Sequence, residues 1–172
     1  MRVLYILDED FVNYKKPSML IGCIKCNGKC YKDLGLSKDI CQNWELQKSI
    51  DIEIEDNELC QRYLNNKLTN AIVFGGLEPF DQFDEMIKFI DILRKQYNCN
   101  DDVVIYTGYN YIEIDEKIDK LKKFGNIIVK FGRYIPDSRH VYDTVLGVSL
   151  ISDNQFAINL SDIWEEKNVQ CN

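Results

Sequence analysis

Proline and histidine are scarce in this 172-residue chain, which has three prolines and one histidine. With so few prolines, and with no internal repeat or low-complexity tract, no linker is apparent. The length suits one domain over residues 1–172 with a core of its own and is short for two. The lone histidine, His140, stands far from the cysteines and reads as an ordinary surface residue rather than a ligand. Excess positive charge is absent: the net charge is −7, so the molecule as a whole has no electrostatic reason to seek nucleic acid or an anionic membrane. No apolar run approaches the ~20 residues that span a bilayer. The start, MRVLYILDEDFVNYKK, meets acid at Asp8 and lacks the apolar stretch and cleavage site of a secretory leader. A cytoplasmic protein is expected.

Cysteine, by contrast, is plentiful, with seven in the chain. In a reducing cytosol clustered cysteines bind metal more readily than they form structural disulfides. Cys60, Cys99 and Cys171 are scattered. Cys60 shares a helical face with Leu59, Tyr63 and Leu64 and is expected in the core, while Cys171 is expected to be idle. Cys23, Cys26, Cys30 and Cys41 fall close together. Thiolates bind zinc or iron–sulfur clusters, and the spacing alone admits both.

The rest of the chain reads as alternating strand and helix. Ser18–Cys23 is a short buried strand that delivers the chain into a long functional loop over residues 24–43. Residues 57–68 have helical spacing, and Ala71–Phe74 is a continuous apolar run stopped by Gly75-Gly76, as in a buried parallel strand. Asp81 is placed to cap the next helix, whose inner face is Phe83, Met86, Ile87, Ile90 and Leu93. Val103–Tyr106 is a strand, Ile114, Ile118 and Leu121 mark a helix, and Ile127–Val129 is another strand. Two strands near 144–150 and 155–160 end the series. This alternation implies an α/β fold with a mostly parallel sheet. A full eight-fold barrel needs about 250 residues, so a partial, open (β/α) barrel or open sheet is expected. Ligands bind at the carboxyl ends of such strands. There the cysteine segment, Gly75–Pro79, Thr107–Tyr109 and the region from Lys130 should converge.

The neighbours of the cysteines carry a resemblance. Cys26-Asn27-Gly28-Lys29-Cys30 has the CxxxC spacing that opens the signature CxxxCxΦC of the radical S-adenosylmethionine (SAM) family, and Asp39-Ile40-Cys41 resembles its close. Ten residues rather than two separate Cys30 from Cys41, an insertion that costs roughly 1.4 kcal/mol of closure entropy and that cluster ligation offsets. Gly75-Gly76-Leu77-Glu78-Pro79 is similar to the family's GGEP element with one residue inserted. Cys41-Gln42-Asn43, the strand ending in Thr107-Gly108-Tyr109, Phe131-Gly132-Arg133-Tyr134 and Ser152-Asp153-Asn154-Gln155 resemble segments of the glycyl-radical activating branch, the activators of anaerobic ribonucleoside-triphosphate reductases.

The resemblance implies that Cys26, Cys30 and Cys41 ligate a 4Fe–4S cluster whose fourth iron is open to the amine and carboxylate of SAM, with Cys23 spare. It also implies that Ile40, Gly75, Gly76, Glu78, Pro79, Thr107 and Lys130 border SAM. In that scheme the glycine turn receives the SAM ammonium, Lys130 its carboxylate, and valine at Gly76 stands in the ligand's path. The implied partners are a glycyl-radical enzyme and a flavodoxin- or ferredoxin-like electron donor. Six lysines (15, 16, 25, 29, 32 and 38) against Asp33 and Asp39 form a positive patch suited to an acidic donor. Two alternatives are a radical SAM enzyme acting on a small molecule or peptide, and a zinc- or cluster-binding module without SAM chemistry.

Overall fold

A computed structural model describes residues 1–162, so Cys171 lies outside the described residues. The elements run β1 (Arg2–Val3), β2 (Tyr5–Asp10), β3 (Ser18–Cys23), α1 (Lys29–Lys32), β4 (Ile52–Glu53), α2 (Asp56–Asn65), β5 (Ala71–Gly76), α3 (Phe83–Lys95), β6 (Asp102–Tyr106), α4 (Asp115–Lys122), β7 (Ile127–Phe131), β8 (Val141–Asp143), β9 (Val148–Leu150) and β10 (Phe156–Asn159). Among the described residues the central sheet has six strands in the order β10-β7-β6-β5-β3-β2. Its middle, β3-β5-β6-β7, is parallel, and the two edge strands are antiparallel. The sheet is therefore open and mostly parallel, within an α/β architecture.

Strand periodicity sorts the side chains onto two faces. Met19, Ile21, Ile72, Phe74, Val103, Ile105, Ile127 and Val129 face the helices, where they pack with Leu59 and Tyr63 of α2, Met86, Phe89 and Leu93 of α3, and Ile118 and Leu121 of α4. Phe74 and Phe89 meet edge to face, with ring centroids 5.8 Å apart. Each such fully buried side chain contributes on the order of 1.5–3 kcal/mol. Leu20, Val73, Val104 and Ile128 face the other way, against Tyr14, Leu146 and Leu150. Lys130 is two residues beyond Ile128 and so shares that second face. The β8–β9 hairpin, not a helix, covers it.

Several expectations are corrected. The fourth element after β7 is a hairpin: residues 144–147 form its turn, so only Val148–Leu150 of the expected strand is extended, and β8 joins it. With no crossover helix to reverse direction, β10 runs antiparallel to β7, with Phe156 opposite Phe131. The helix expected over 57–68 ends at Asn65 and leaves Leu68 exposed. Phe89 joins the inner face of α3, whereas Ile87 is only partly buried. Asp81 does not cap α3; it lies inside a 3-10 turn, Pro79–Gln82, capped by Glu78. Cys60 is fully buried and His140 exposed, as read from the sequence. No helix among the described residues is long and apolar enough to cross a membrane.

Candidate functional site

A cavity of about 460 Å³ lies at the carboxyl ends of β5, β6 and β7, between the second sheet face and the β8–β9 hairpin. Cys26, Cys30, Ile40, Cys41, Gly75, Gly76, Glu78, Thr107 and Lys130 all line it. Pro79 does not; it is buried as the first residue of the 3-10 turn, where its fixed φ suits a helix start. The sequence reading had not included Tyr5 from β2, Tyr106, Tyr134, Gln155 or residues 148–151 among the lining residues.

The cysteine segment is laced to the loops around it. Glu78 donates its N–H to the Lys25 carbonyl at 2.6 Å, and Asn27 donates its N–H to Asp81 at 2.7 Å. Asp81 also accepts from the Tyr109 hydroxyl at 2.6 Å. Asn43, two residues past Cys41, donates its side-chain amide to the Gly76 carbonyl at 2.6 Å. Cys30 rests on the loop after β6, where a Cβ at Gly108 would come within 3.0 Å of its sulfur. The Gly28 N–H donates to Cys26 Sγ at 3.3 Å. Burial pushes the Cys26 thiol up to about 11 and raises that of Cys30 as well, each partly offset by a backbone N–H. Such thiols become thiolates when a cation is there to take them.

Glu78 ties the site together. It is almost wholly buried and accepts from its neighbour Phe80 N–H at 3.1 Å, the Thr107 hydroxyl at 2.7 Å and the Gly108 N–H at 2.8 Å. One carboxylate thereby fixes the β5 turn to the β6 loop. Burial raises its pKa to about 7, against the pull of those three donors. Lys130 is also buried; its ammonium donates to the Gly132 carbonyl at 3.0 Å, and burial pulls its pKa down to about 8.

The inserted loop is clasped from outside. Arg133 holds Glu113 with two bonds of 2.8 and 2.7 Å and reaches Asp33 at 3.0 Å, while Lys29 reaches Glu113 at 2.9 Å. These contacts hold Glu113 down at about 2, with the Arg133 bond the largest cause. Its folded pKa is thus below its unfolded one, so the clasp's contribution is present at neutral pH and lost as pH falls through about 2. Glu113→Gln should cost about 1 kcal/mol, discounted for partial exposure, and should speed protease cleavage between Cys30 and Cys41 several-fold. Limited proteolysis at matched stability checks it.

The glycine turn needs a correction. Gly76 has φ +81°, and a Cβ there would lie 3.1 Å from the Tyr5 hydroxyl and 3.2 Å from the Gly22 Cα. A side chain at Gly76 thus strikes strand β3, not the ligand's path. At Gly75 a Cβ would meet Leu20 and Tyr106 at 3.6 and 3.9 Å, which are ordinary contacts with residues that line the cavity. Gly76→Val should therefore lower thermal stability by roughly 2–4 kcal/mol. Gly75→Val should fold, keep iron and weaken SAM about tenfold, as melting curves and calorimetric titration would show.

Among the described residues no three His, Cys, Asp or Glu side chains already form a set able to hold a metal ion. A single zinc ion would demand thiolates converging at ~2.3 Å from one point, and a fourth ligand. Cys23 cannot provide it: it is fully buried in the helix-side core and does not border the cavity. Glu78 is committed to its three donors. Three soft thiols around one cavity fit a cluster instead, in which separate irons each take one thiolate.

The comparisons with known proteins point the same way. Residues 20–150 match the model of the 4Fe-4S single cluster domain family. The chain belongs to that family. It is a radical SAM domain, and its cofactors are a 4Fe–4S cluster and SAM. It is 35% identical over 40 residues to the "Probable dual-specificity RNA methyltransferase RlmN" of Clostridium beijerinckii, covering 23% of this chain and 11% of that protein. A protein of the same description from Malacoplasma penetrans is 26% identical over 92 residues, covering 49% of this chain and 24% of the relative. The chain thus spans about a quarter or less of the length of these curated relatives. No solved structure matches it at a comparable level.

Proposed function

We propose that this domain reductively cleaves SAM and passes the resulting radical to a backbone glycine of a partner enzyme, an anaerobic ribonucleoside-triphosphate reductase. The observation that supports this reading is the shared cavity. The segments that resemble the activating branch, at Gly75–Glu78, Thr107–Gly108, Gly132–Tyr134 and Gln155, contribute to its lining together with the three thiols.

The reduced cluster, when bound, supplies one electron to the sulfonium of SAM, breaking a carbon–sulfur bond to give methionine and a 5′-deoxyadenosyl radical. The protein's part is placement. Cys26, Cys30 and Cys41 hold the cluster at the cavity, and Ile40 offers an apolar wall beside it. The carbonyls of the Gly75–Glu78 turn receive the ammonium, and the buried Lys130 faces the carboxylate. Glu78 and Thr107 keep those two loops in register. Lys25, Lys32 and Lys38 are exposed around the cysteine segment and suit the acidic face of a flavodoxin- or ferredoxin-like donor. The 5′-deoxyadenosyl radical then takes a hydrogen atom from the glycine Cα, leaving 5′-deoxyadenosine and the glycyl radical.

The partial similarity to proteins of another description supports a second reading, in which the same cleavage serves chemistry on a small molecule or peptide. Anaerobic reconstitution followed by SAM and dithionite separates the cases. 5′-Deoxyadenosine formation together with a glycyl-type paramagnetic resonance signal on the added reductase is the expected result. Cleavage without that signal would favour the second reading, and a chain that takes up zinc but no iron and sulfide would overturn both.

A further inference from the structure

Gln155 stands immediately before β10, opposite the end of β7, and is nine-tenths buried. Its Nε2 donates to the Gly132 carbonyl at 3.2 Å, which fixes the orientation of the amide because a carbonyl can only accept. Its Oε1 is buried and has no hydrogen-bond partner among the described residues. An acceptor left in that state costs about as much as a lost hydrogen bond, so a nearby donor is strongly favoured. The place is built rather than accidental. Gly132 has φ +99°, and a Cβ there would lie 2.8 Å from the Asn154 carbonyl and 3.2 Å from the Gln155 Cα. Only glycine lets the chain press Gln155 this closely against β7. Asn154 adds a bond from its side-chain amide to the Arg133 carbonyl at 3.0 Å. Lys130 donates to the same Gly132 oxygen, so the ammonium and the amide flank one atom at the cavity wall.

The order along the sheet edge indicates which part of a ligand reaches this amide. The turn after β5 is followed by the loop after β6, then Lys130 on β7, then Gln155 beside β10. Three strand spacings separate the first from the last, roughly 14 Å. A molecule held by its amino-acid end at β5 and Lys130 therefore extends its nucleoside end toward Gln155. The adenosyl half of SAM carries hydrogen-bond donors in its ribose hydroxyls and its adenine amine.

We infer that Gln155 is a binding residue for the adenosyl half of SAM, its Oε1 accepting from a ribose hydroxyl or the adenine amine. This rests on the SAM-binding reading of the cavity. The test uses the anaerobically reconstituted protein and calorimetric titration with S-adenosylhomocysteine and with methionine. Gln155→Leu and Gln155→Met, which remove the acceptor, should each weaken S-adenosylhomocysteine about tenfold and leave methionine unchanged, with iron content and melting temperature retained. Two variants guard against one that fails to fold. A deoxyribose analogue that binds wild type and variants equally would identify the hydroxyl as donor; a purine analogue lacking the amine that does so would identify the amine. Folded variants that bind S-adenosylhomocysteine as tightly as wild type, or lose methionine equally, would overturn the inference alone. A wild-type protein that binds neither SAM nor S-adenosylhomocysteine would overturn the SAM reading itself.

Discussion

Cys30→Ser is expected to abolish both the cluster and SAM cleavage, while Cys23→Ala keeps both. The two cysteines belong to the same short segment of sequence but to different environments. Cys30 sits on α1, borders the cavity, and lies against the β6 loop and the Tyr134 backbone N–H. Cys23 ends β3, pairs in register with Gly76 and is fully buried in the helix-side core. Burial drives its thiol far above the usual range, as expected for a side chain that serves as packing. Serine at Cys30 offers a hydroxyl, a poor ligand for iron, and removes one of three protein anchors. The loss should be near total, with iron and sulfide per chain falling toward background. Alanine at Cys23 removes one buried sulfur and costs roughly 1–2 kcal/mol of stability without touching the cavity. Iron and sulfide assays with visible spectra on both variants decide the matter. Loss of the cluster in a folded Cys23→Ala protein would mean that Cys23 is a ligand and that the set must be redrawn.

What could be read from the sequence follows from how locally each feature is encoded. The parallel strands were legible because a strand buried on both faces must be apolar throughout, and Ala71–Phe74 and Val103–Tyr106 satisfy that with no help from the rest of the chain. The cysteines, the glycine turn and Thr107 were legible because each ends such a strand. Strand β2 was not: Tyr5–Asp10 is an edge strand with exposed carboxylates, and only pairing with β3 makes it extended. The role of Gly76 depends on Tyr5 and Gly22, far away in sequence, so a ligand-facing glycine could not be told from one that clears a neighbouring strand. Asn43 and Gln155 had been noted only as parts of motifs. Their bonds to the Gly76 and Gly132 carbonyls exist only once the sheet has assembled. The β8–β9 hairpin was missed because its strands are three residues each, too short for a period to show.

Glu78 shows how one residue of a recognised motif can have a role that the motif does not reveal. The turn's glycines suggest close approach to a ligand, yet the carboxylate between them and the next helix points into protein, where three donors meet it. Glu78→Ala would leave two backbone N–H groups and one hydroxyl without their acceptor in a buried place. At about 1–3 kcal/mol for each group that cannot find another partner, a loss of roughly 3–5 kcal/mol is expected, enough to unfold a marginal domain. Glu78→Gln is the finer probe. It keeps an acceptor for Thr107 and Phe80 but turns an amide toward the Gly108 N–H, so a smaller loss of about 1–2 kcal/mol is expected at pH 5. The pH dependence carries the sharper expectation. Burial raises the folded pKa of Glu78 to about 7, above the ordinary glutamate value, so the folded state binds the extra proton between those limits. Stability should then be highest below pH 4.5 as far as this group is concerned, and decline by on the order of 3 kcal/mol as pH rises through about 7. Glutamine cannot ionise and removes that decline. Denaturant melts of the metal-free proteins at pH 5 and pH 8 therefore give different gaps between wild type and Glu78→Gln, with glutamine closing on wild type or overtaking it at the higher pH. A gap that stays constant across the two pH values would mean that the three donors hold Glu78 ionised throughout, and that the carboxylate's charge, not only its position, is part of how the loops after β5 and β6 are joined.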